Sequence, residues 1–286
     1  MTKEATVALG SSIRQLSNPI HPHDLVPPSA HEHVDVFVQR SVAGTNGNLY
    51  VPLINKLSRY PIPRWPAERK PVIGGLLLDI GCGWGRWMIA GARVGFHPVG
   101  IDIKLESLQA ARRVMKAHQV KGYVVLADLT ALPFRTAAFD RVFSYSAIQH
   151  VNKHRAALCV AEAKRVVKNH STCLIELPLK YGLTNVRRLL RKTDEEDTNS
   201  WAVRYYSWGE MRSLFVGTFG NMKVWSDCFC GIGVRPEDID LLPWKYKLVV
   251  VASQILKQCA RVFPPFMRLS DSVFIEARKT ITADSE

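Results

Sequence analysis

Residues 77–85 read Leu-Leu-Asp-Ile-Gly-Cys-Gly-Trp-Gly, an apolar run that ends in Asp79 and opens into Gly81, Gly83 and Gly85 around Cys82. Residues 86–94 continue in a helical pattern. A strand that feeds a glycine turn and then a helix is a place for a nucleotide-like cofactor. Glycines there let the backbone approach a ligand that a Cβ would push away. The dinucleotide version of such a turn needs its last glycine at position 86, where Arg86 stands. The phosphate-cradling version needs Gly-Lys-Ser/Thr, a triplet the chain lacks. Further along, Tyr145, Gln149 and His150 share one short segment, and Glu176 follows. An ordinary histidine pKa near ~6.5 suits proton removal at neutral pH, so His150 is the first candidate general base and Glu176 the second. Tyr145 and Gln149 are placed to orient a substrate or cofactor. A histidine that only caps or packs at a helix start is the plain alternative for position 150.

The glycine turn resembles motif I of the class I, Rossmann-like S-adenosylmethionine methyltransferases. In that family the loop, here Asp79, Gly81, Cys82, Gly83 and Gly85, wraps the aminoacyl end of a cofactor that carries no phosphate. The resemblance continues along the chain. Residues 98–103, Pro-Val-Gly-Ile-Asp-Ile, read as a second buried strand, and Asp102 lies 23 residues after Asp79, one strand–helix–strand unit away. A carboxylate at Asp102, with Ile103 beside it, can accept both ribose hydroxyls in charge-assisted bonds. A third strand at 123–127 runs into Asp128 and Leu129. In the family this acid faces the adenine amino group, and the next apolar residue packs on the ring. Leu132-Pro-Phe134, the strand Phe139-Asp-Arg-Val-Phe143 and the segment Ser144–Val151 complete the pattern. Ser144 and Gln149 thereby join the implied cofactor set. Together these motifs cover about residues 72–180. Many relatives carry a Pro-Gly-Gly-type turn before the fifth strand. Here Lys168-Asn-His-Ser171 stands instead and reads as a changed turn.

These residues need elements to position them. Strands are expected near 75–80, 97–102, 122–127, 139–145 and 171–177, with helices near 84–94, 104–118 and 152–168. Such alternation predicts a doubly wound, mostly parallel α/β sheet with helices on both faces. Right-handed crossovers put every strand's carboxyl end on one edge, which gathers Asp79, Asp102, Asp128 and residues 144–150. Ser207-Trp-Gly-Glu210 is a capping-box signature for a further helix. Residues 222–230 and 272–278 are the expected last two strands, an antiparallel pair that would complete seven. The organisation expected is an N-terminal arm with lid helices over 1–70, then a cofactor-binding domain over 71–286. That domain carries insertions at about 181–206 and 231–270. The aromatic group Trp201, Tyr205, Tyr206 and Trp208 with Arg204 could line an acceptor pocket or form core under the first insertion.

Composition narrows the partners. The chain has 286 residues and a formal net charge of +13. Residues 151–192 hold ten Lys/Arg against Glu162 and Glu176, and residues 241–270 hold five with no acid. Such fields favour acidic substrates, anionic membranes or nucleic acid, while a solvated basic helix face is the plain alternative. Residues 244–261 read as a basic amphipathic helix that either packs on the sheet or meets a membrane surface. The six cysteines form no Cys-x-x-Cys pair and read as reduced thiols of a cytoplasmic protein. No run approaches the ~18 apolar residues of a membrane span. The early acid Glu4 is unlike a secretory signal. The pairs His21/His23 and His31/His33 lack accompanying ligands at fixed spacing and read as part of an arm, with no metal site expected.

Methyl transfer from a sulfonium is an in-line displacement, so a protein must mainly align the acceptor and exclude water. The resemblance is nearest to the quinone-type and natural-product enzymes of the methyltransferase domain 11-like group. It implies an enzyme with S-adenosylmethionine as cofactor and a small-molecule acceptor, acidic or lipid-linked. Nucleic acid is disfavoured, because Ser144-Tyr-Ser-Ala replaces the Asn/Asp-Pro-Pro-aromatic motif of base-amino methyltransferases and no Pro-Cys pair supplies a thiol nucleophile. An RNA or protein methyltransferase using the basic faces, and a cofactor-binding protein without turnover, are the other two readings.

Overall fold

The computed structural model describes residues 34–46, 48–53, 56–66, 72–186, 202–231, 233 and 235–280. In chain order the elements are α1 (Val36–Thr45), β1 (Leu76–Ile80), α2 (Arg86–Arg93), β2 (His97–Asp102), α3 (Leu105–Ala117), β3 (Tyr123–Leu126), β4 (Phe139–Ser144), α4 (Lys153–Val166), β5 (Val167–Pro178), α5 (Trp208–Phe219), β6 (Lys223–Cys228), α6 (Trp244–Val262) and β7 (Ser272–Arg278). Short 3-10 turns at Asn48–Leu53, Ile148–His150, Pro236–Asp238 and Pro264–Leu269 lie between them.

The strands form one seven-stranded sheet in the order β3-β2-β1-β4-β5-β7-β6. β1 pairs in parallel with β2 and β4, β2 with β3, and β4 with β5, while β7 runs antiparallel between β5 and β6. This is the mixed α/β sheet the alternation predicts. The central strands are apolar on both sides, as strands covered by helices on both faces must be. One face packs on α2, α3, α1 and α6 through Leu77, Met88, Leu108, Val38, Val42 and Val250. The other packs on α4 and α5 through Leu78, Val142, Val160, Met211 and Phe215. The capping box at Ser207 and Glu210 is formed and opens α5.

One expectation needs correction. β5 starts directly after α4 at Val167 rather than near 171, so Lys168–Ser171 is a bulge inside the strand. The β4–β5 register passes from Phe139↔Val167 to Arg141↔Thr172, which sets 168–171 opposite Asp140. The bulge is held by Lys168 Nζ on Asp140 at 2.7 Å and by the His170 N–H donating to the Lys279 carbonyl at 2.8 Å. His170 adopts φ +63° there. The described residues of 34–66 pack against the sheet. Val34, Val38, Val42, Tyr50, Leu53, Leu57 and Ile62 belong to the same core as Trp84 and Trp87.

The histidine pairs at 21–33 and the acidic run Asp194–Asp197 lie outside the described residues. Among the described residues no group of three or more His, Cys, Asp or Glu could hold a metal ion, and no helix is long and apolar enough to cross a membrane.

Candidate cofactor and acceptor site

The parallel crossovers bring Asp79, Asp102, Asp128 and the 144–150 segment to the carboxyl edge of the sheet, as topology demands. The glycine loop leaves β1 and bends at once toward β2. The N–H groups of Gly81 and Cys82 both donate to the Ile101 carbonyl at 2.8 Å. Gly81, Gly83 and Gly85 have φ of +73°, +53° and +82°. A Cβ on Gly81 would lie 2.2 Å from the Ala147 Cβ, so the loop and the post-β4 segment are in direct contact there.

Asp102 is half-buried beside the loop. Its Oδ2 accepts from the Gly83 N–H at 3.0 Å and its Oδ1 from the Lys104 N–H at 2.9 Å. Burial raises its carboxyl, and those two amides hold the rise back. Each oxygen keeps lone-pair capacity for a further donor. Asp79 is different. It is 1% exposed, and neither carboxylate oxygen has a hydrogen-bond partner among the described residues. Burial pushes its carboxyl up to about 8, with the Arg86 charge opposing and Asp102 reinforcing. A buried carboxylate with no donor is costly. A cation at the loop would supply the missing partner.

Ser144 is fully buried, and its hydroxyl donates to the Ile80 carbonyl at 3.0 Å, tying β4 to β1. Leu129 is buried in the core on the α4 side. Asp128 lies out on the rim, where Oδ1 accepts from the Thr130 N–H and hydroxyl and Oδ2 pairs with Arg155 at 2.6 Å. Those Thr130 bonds and Arg155 hold its carboxyl below the usual range. Ile103, 56% exposed, stands free on the same rim. Cys82 is buried, with its thiol pushed up by burial and by Asp79.

The proposed catalytic residues fall into two environments. Tyr145 and Glu176 are buried on the α2 face. The Tyr145 hydroxyl donates to Asp227 Oδ2 at 2.9 Å, and burial pushes its phenol well up. Glu176 Oε2 accepts from the Ser146 N–H at 2.9 Å, while Oε1 has no partner among the described residues. Burial raises the Glu176 carboxyl, and Asp227 adds to the rise. His150 closes the 3-10 turn and is only partly buried, with its ring nitrogen 3.4 Å from the Gln149 amide. Gln149 also donates to the Ser146 hydroxyl at 2.5 Å, and its Oε1 lacks a partner among the described residues. Of the aromatic group, Tyr206 is core, while Arg204 braces the turn by donating to the His150 carbonyl at 2.7 Å. Trp201 lies outside the described residues.

The sequence reading missed the partners of this buried cluster. Asp227 on β6 also accepts from the Ser272 hydroxyl at 2.9 Å and pairs with Arg235 at 2.8 Å. Burial pulls the Arg235 guanidinium down, but Asp227 together with Tyr145 and Cys228 holds it well above the usual range. Arg86 and Arg235 both lie over the Tyr145 ring, at 5.0 and 4.8 Å from its centroid, and over Trp87. The Tyr50 hydroxyl donates to Asp238 Oδ2, so residues before β1 reach the loop after β6. Asn46, just past α1, accepts from Trp84 Nε1 at 3.0 Å and completes the cover over the glycine loop. Asp, Arg and Tyr spread between positions 50 and 238 carry no local motif that could have found them.

The sheet order, with a glycine loop after the first strand and an acid ending the second, is that of the class I, Rossmann-like methyltransferase fold. Residues 77–170 match the family described as "Methyltransferase domain", and S-adenosylmethionine is the cofactor of that class. The chain is 40% identical over 74 residues to the 18S rRNA (guanine-N(7))-methyltransferase bud23 of Schizosaccharomyces pombe, covering 26% of each chain. It is 36% identical over 92 residues to the malonyl-[acyl-carrier protein] O-methyltransferase of Salmonella typhimurium, covering 32% of this chain and 34% of that one. A SAM-dependent methyltransferase structure from Methanosarcina mazei shares the fold at 15% identity and TM-score 0.53, over 77% of this chain and 100% of the other. The alignments span between 20% and 43% of the length of the curated relatives.

Proposed function

We propose that the protein transfers a methyl group from S-adenosylmethionine to a small-molecule acceptor. The observation that carries the cofactor part of this reading is the pair of Asp79 oxygens without a partner among the described residues, beside a glycine loop that Asp102 holds. When bound, the cofactor supplies an activated methyl group on a sulfonium. Asp79 would hold its ammonium, Asp102 its ribose hydroxyls, and Ile103 would lie against its base. Residues 34–66 would act as a lid that excludes water. Among the candidate bases His150 is favoured, because it alone reaches the surface of the rim where an acceptor and solvent can exchange a proton. Tyr145 is committed to Asp227, and Glu176 is enclosed, so both would position the acceptor side of the site.

S-adenosylmethionine and its demethylated product are expected to raise the melting temperature, and NAD is not, by the stabilisation any ligand gives the state it binds. A null shift with both sulfur ligands would remove the cofactor reading. Asp102→Ala is expected to weaken S-adenosylmethionine binding by roughly tenfold or more, since hydrogen bonds to a charged group contribute ~1.5–3 kcal/mol. Calorimetry showing an unchanged Kd would refute the ribose contact.

RNA is the second reading, favoured by the +13 charge and by a relative named for 18S rRNA. It requires filter binding with a steep salt slope. Labelled S-adenosylmethionine incubated with fractionated cell extract separates the two, by whether label appears in small molecules or in RNA.

A further inference from the structure

α6 is apolar on two opposite sides. Val250, Ser253 and Ala260 face the core, and the Ser253 hydroxyl accepts from the Phe229 N–H at 3.0 Å. Trp244, Leu248, Val251, Ile255 and Val262 recur at intervals of three, four and seven residues, so they form one line along the helix. That line faces solvent, with Phe263 continuing it, and its members are between 48% and 87% exposed. Lys245, Lys247 and Arg261 are exposed on the flanks between the two faces, and the helix contains no acid. The sequence alone offered packing or membrane contact as alternatives for this segment. One helix can do both, because its two apolar faces point in opposite directions.

We propose that the outward face of α6 docks the protein on an anionic lipid surface. A helix of 19 residues spans roughly 28 Å at ~1.5 Å per residue, and it lies flat, since its other face is held by the sheet. Its apolar line enters the headgroup boundary, while the flanking lysines and arginine stay at phosphate level. Trp244 and Phe263 stand at the two ends, where aromatic side chains suit a membrane–water interface. Charge decides against a second copy of this chain: helices carrying only bases would set like charges side by side. It also decides against a polynucleotide, which would leave the apolar line exposed. This inference goes beyond methyl transfer and does not depend on it.

The test is flotation of the full chain with phosphatidylcholine vesicles, with and without phosphatidylglycerol. The protein is expected to float with the anionic vesicles and to be released as salt rises. Leu248→Glu with Ile255→Glu is expected to lower the bound fraction about tenfold or more, because both apolar burials are lost. Lys245→Gln with Lys247→Gln should weaken binding to anionic vesicles while leaving the weak binding to neutral ones. All these changes are on the surface, and an unaltered melting temperature confirms that each variant folds. No flotation with anionic vesicles, or flotation undiminished by the double Glu variant, overturns the proposal. So does a dimer that the double Glu variant dissociates, which would assign the face to a second copy. RNA binding lost in the same variant would assign it to nucleic acid and overturns it equally. A failed cofactor shift in the wild-type protein bears only on the methyltransferase reading.

Discussion

Asp79→Asn is expected to weaken S-adenosylmethionine binding by roughly 10- to 100-fold while making the ligand-free protein more stable above neutral pH. The first effect follows from loss of a charge-assisted bond of ~1.5–3 kcal/mol to the cofactor ammonium. The second follows from burial. Asp79 is 1% exposed and its carboxyl is raised to about 8, against an unfolded value near ~3.9. Because the folded chain holds this proton more tightly than the unfolded chain, the contribution to stability is full below pH ~4. It is lost as pH rises toward 8, at about 1.36 kcal/mol per pKa unit. Asn carries no such proton, so the variant's melting temperature should fall less between pH 5 and pH 8. A cation at the loop reverses the wild-type preference, so binding at pH 7 should release up to one proton. Calorimetry in buffers of different ionisation enthalpy reads that release, which the variant should lack. Equal affinity and equal proton release in the two proteins would mean that Asp79 does not meet the cofactor.

What was legible in the sequence was local. β1 is a short apolar run, and the glycines that begin two residues after Asp79 leave few backbone paths other than a tight loop. The Ser207–Glu210 box announces α5 because a cap needs only four residues. The last two strands were recognisable although α6 lies between them, since each carries a short run of strand-forming residues, Val224-Trp225 and Val273-Phe-Ile275. What stayed hidden depended on partners distant in sequence. Ser144 could not be separated from a ligand-facing residue until β1 placed the Ile80 carbonyl beside it. The partner of Asp128 was equally out of reach, since α4 brings Arg155 within 2.6 Å from 27 residues away. The bulge at Lys168–Ser171 reads as a turn because its stabilising partner, the Lys279 carbonyl, comes from the far end of the chain. The joining of residues 34–66 to the main core was equally hidden, because it rests on Tyr50 meeting Asp238 and Asn46 meeting Trp84.

The same non-locality makes Asp227 the position where a single change should cost most stability. Its carboxylate collects the Tyr145 hydroxyl from β4, the Ser272 hydroxyl from β7 and the Arg235 guanidinium from the loop before α6. Asp227 and Arg235 are 1% and 6% exposed. Asp227→Ala leaves the guanidinium buried without its counter-charge and orphans two hydroxyls. Removing one partner of a buried pair costs ~3–5 kcal/mol, which for a domain of this size lowers the melting temperature by roughly 6–20 °C. The cost should come from the abandoned charge more than from the lost attraction. Arg235→Met placed on top of Asp227→Ala should therefore restore much of the loss, because apolar replacement of a whole buried ion pair is often neutral. Thermal unfolding of the wild type, the two single variants and the double variant measures the coupling directly. S-adenosylmethionine affinity should move far less than stability, since Asp79 and Asp102 lie outside this network. A drop under about 1 kcal/mol for Asp227→Ala, or a double variant as unstable as the worse single, would show that the cluster does not tie β4, β6 and β7 together.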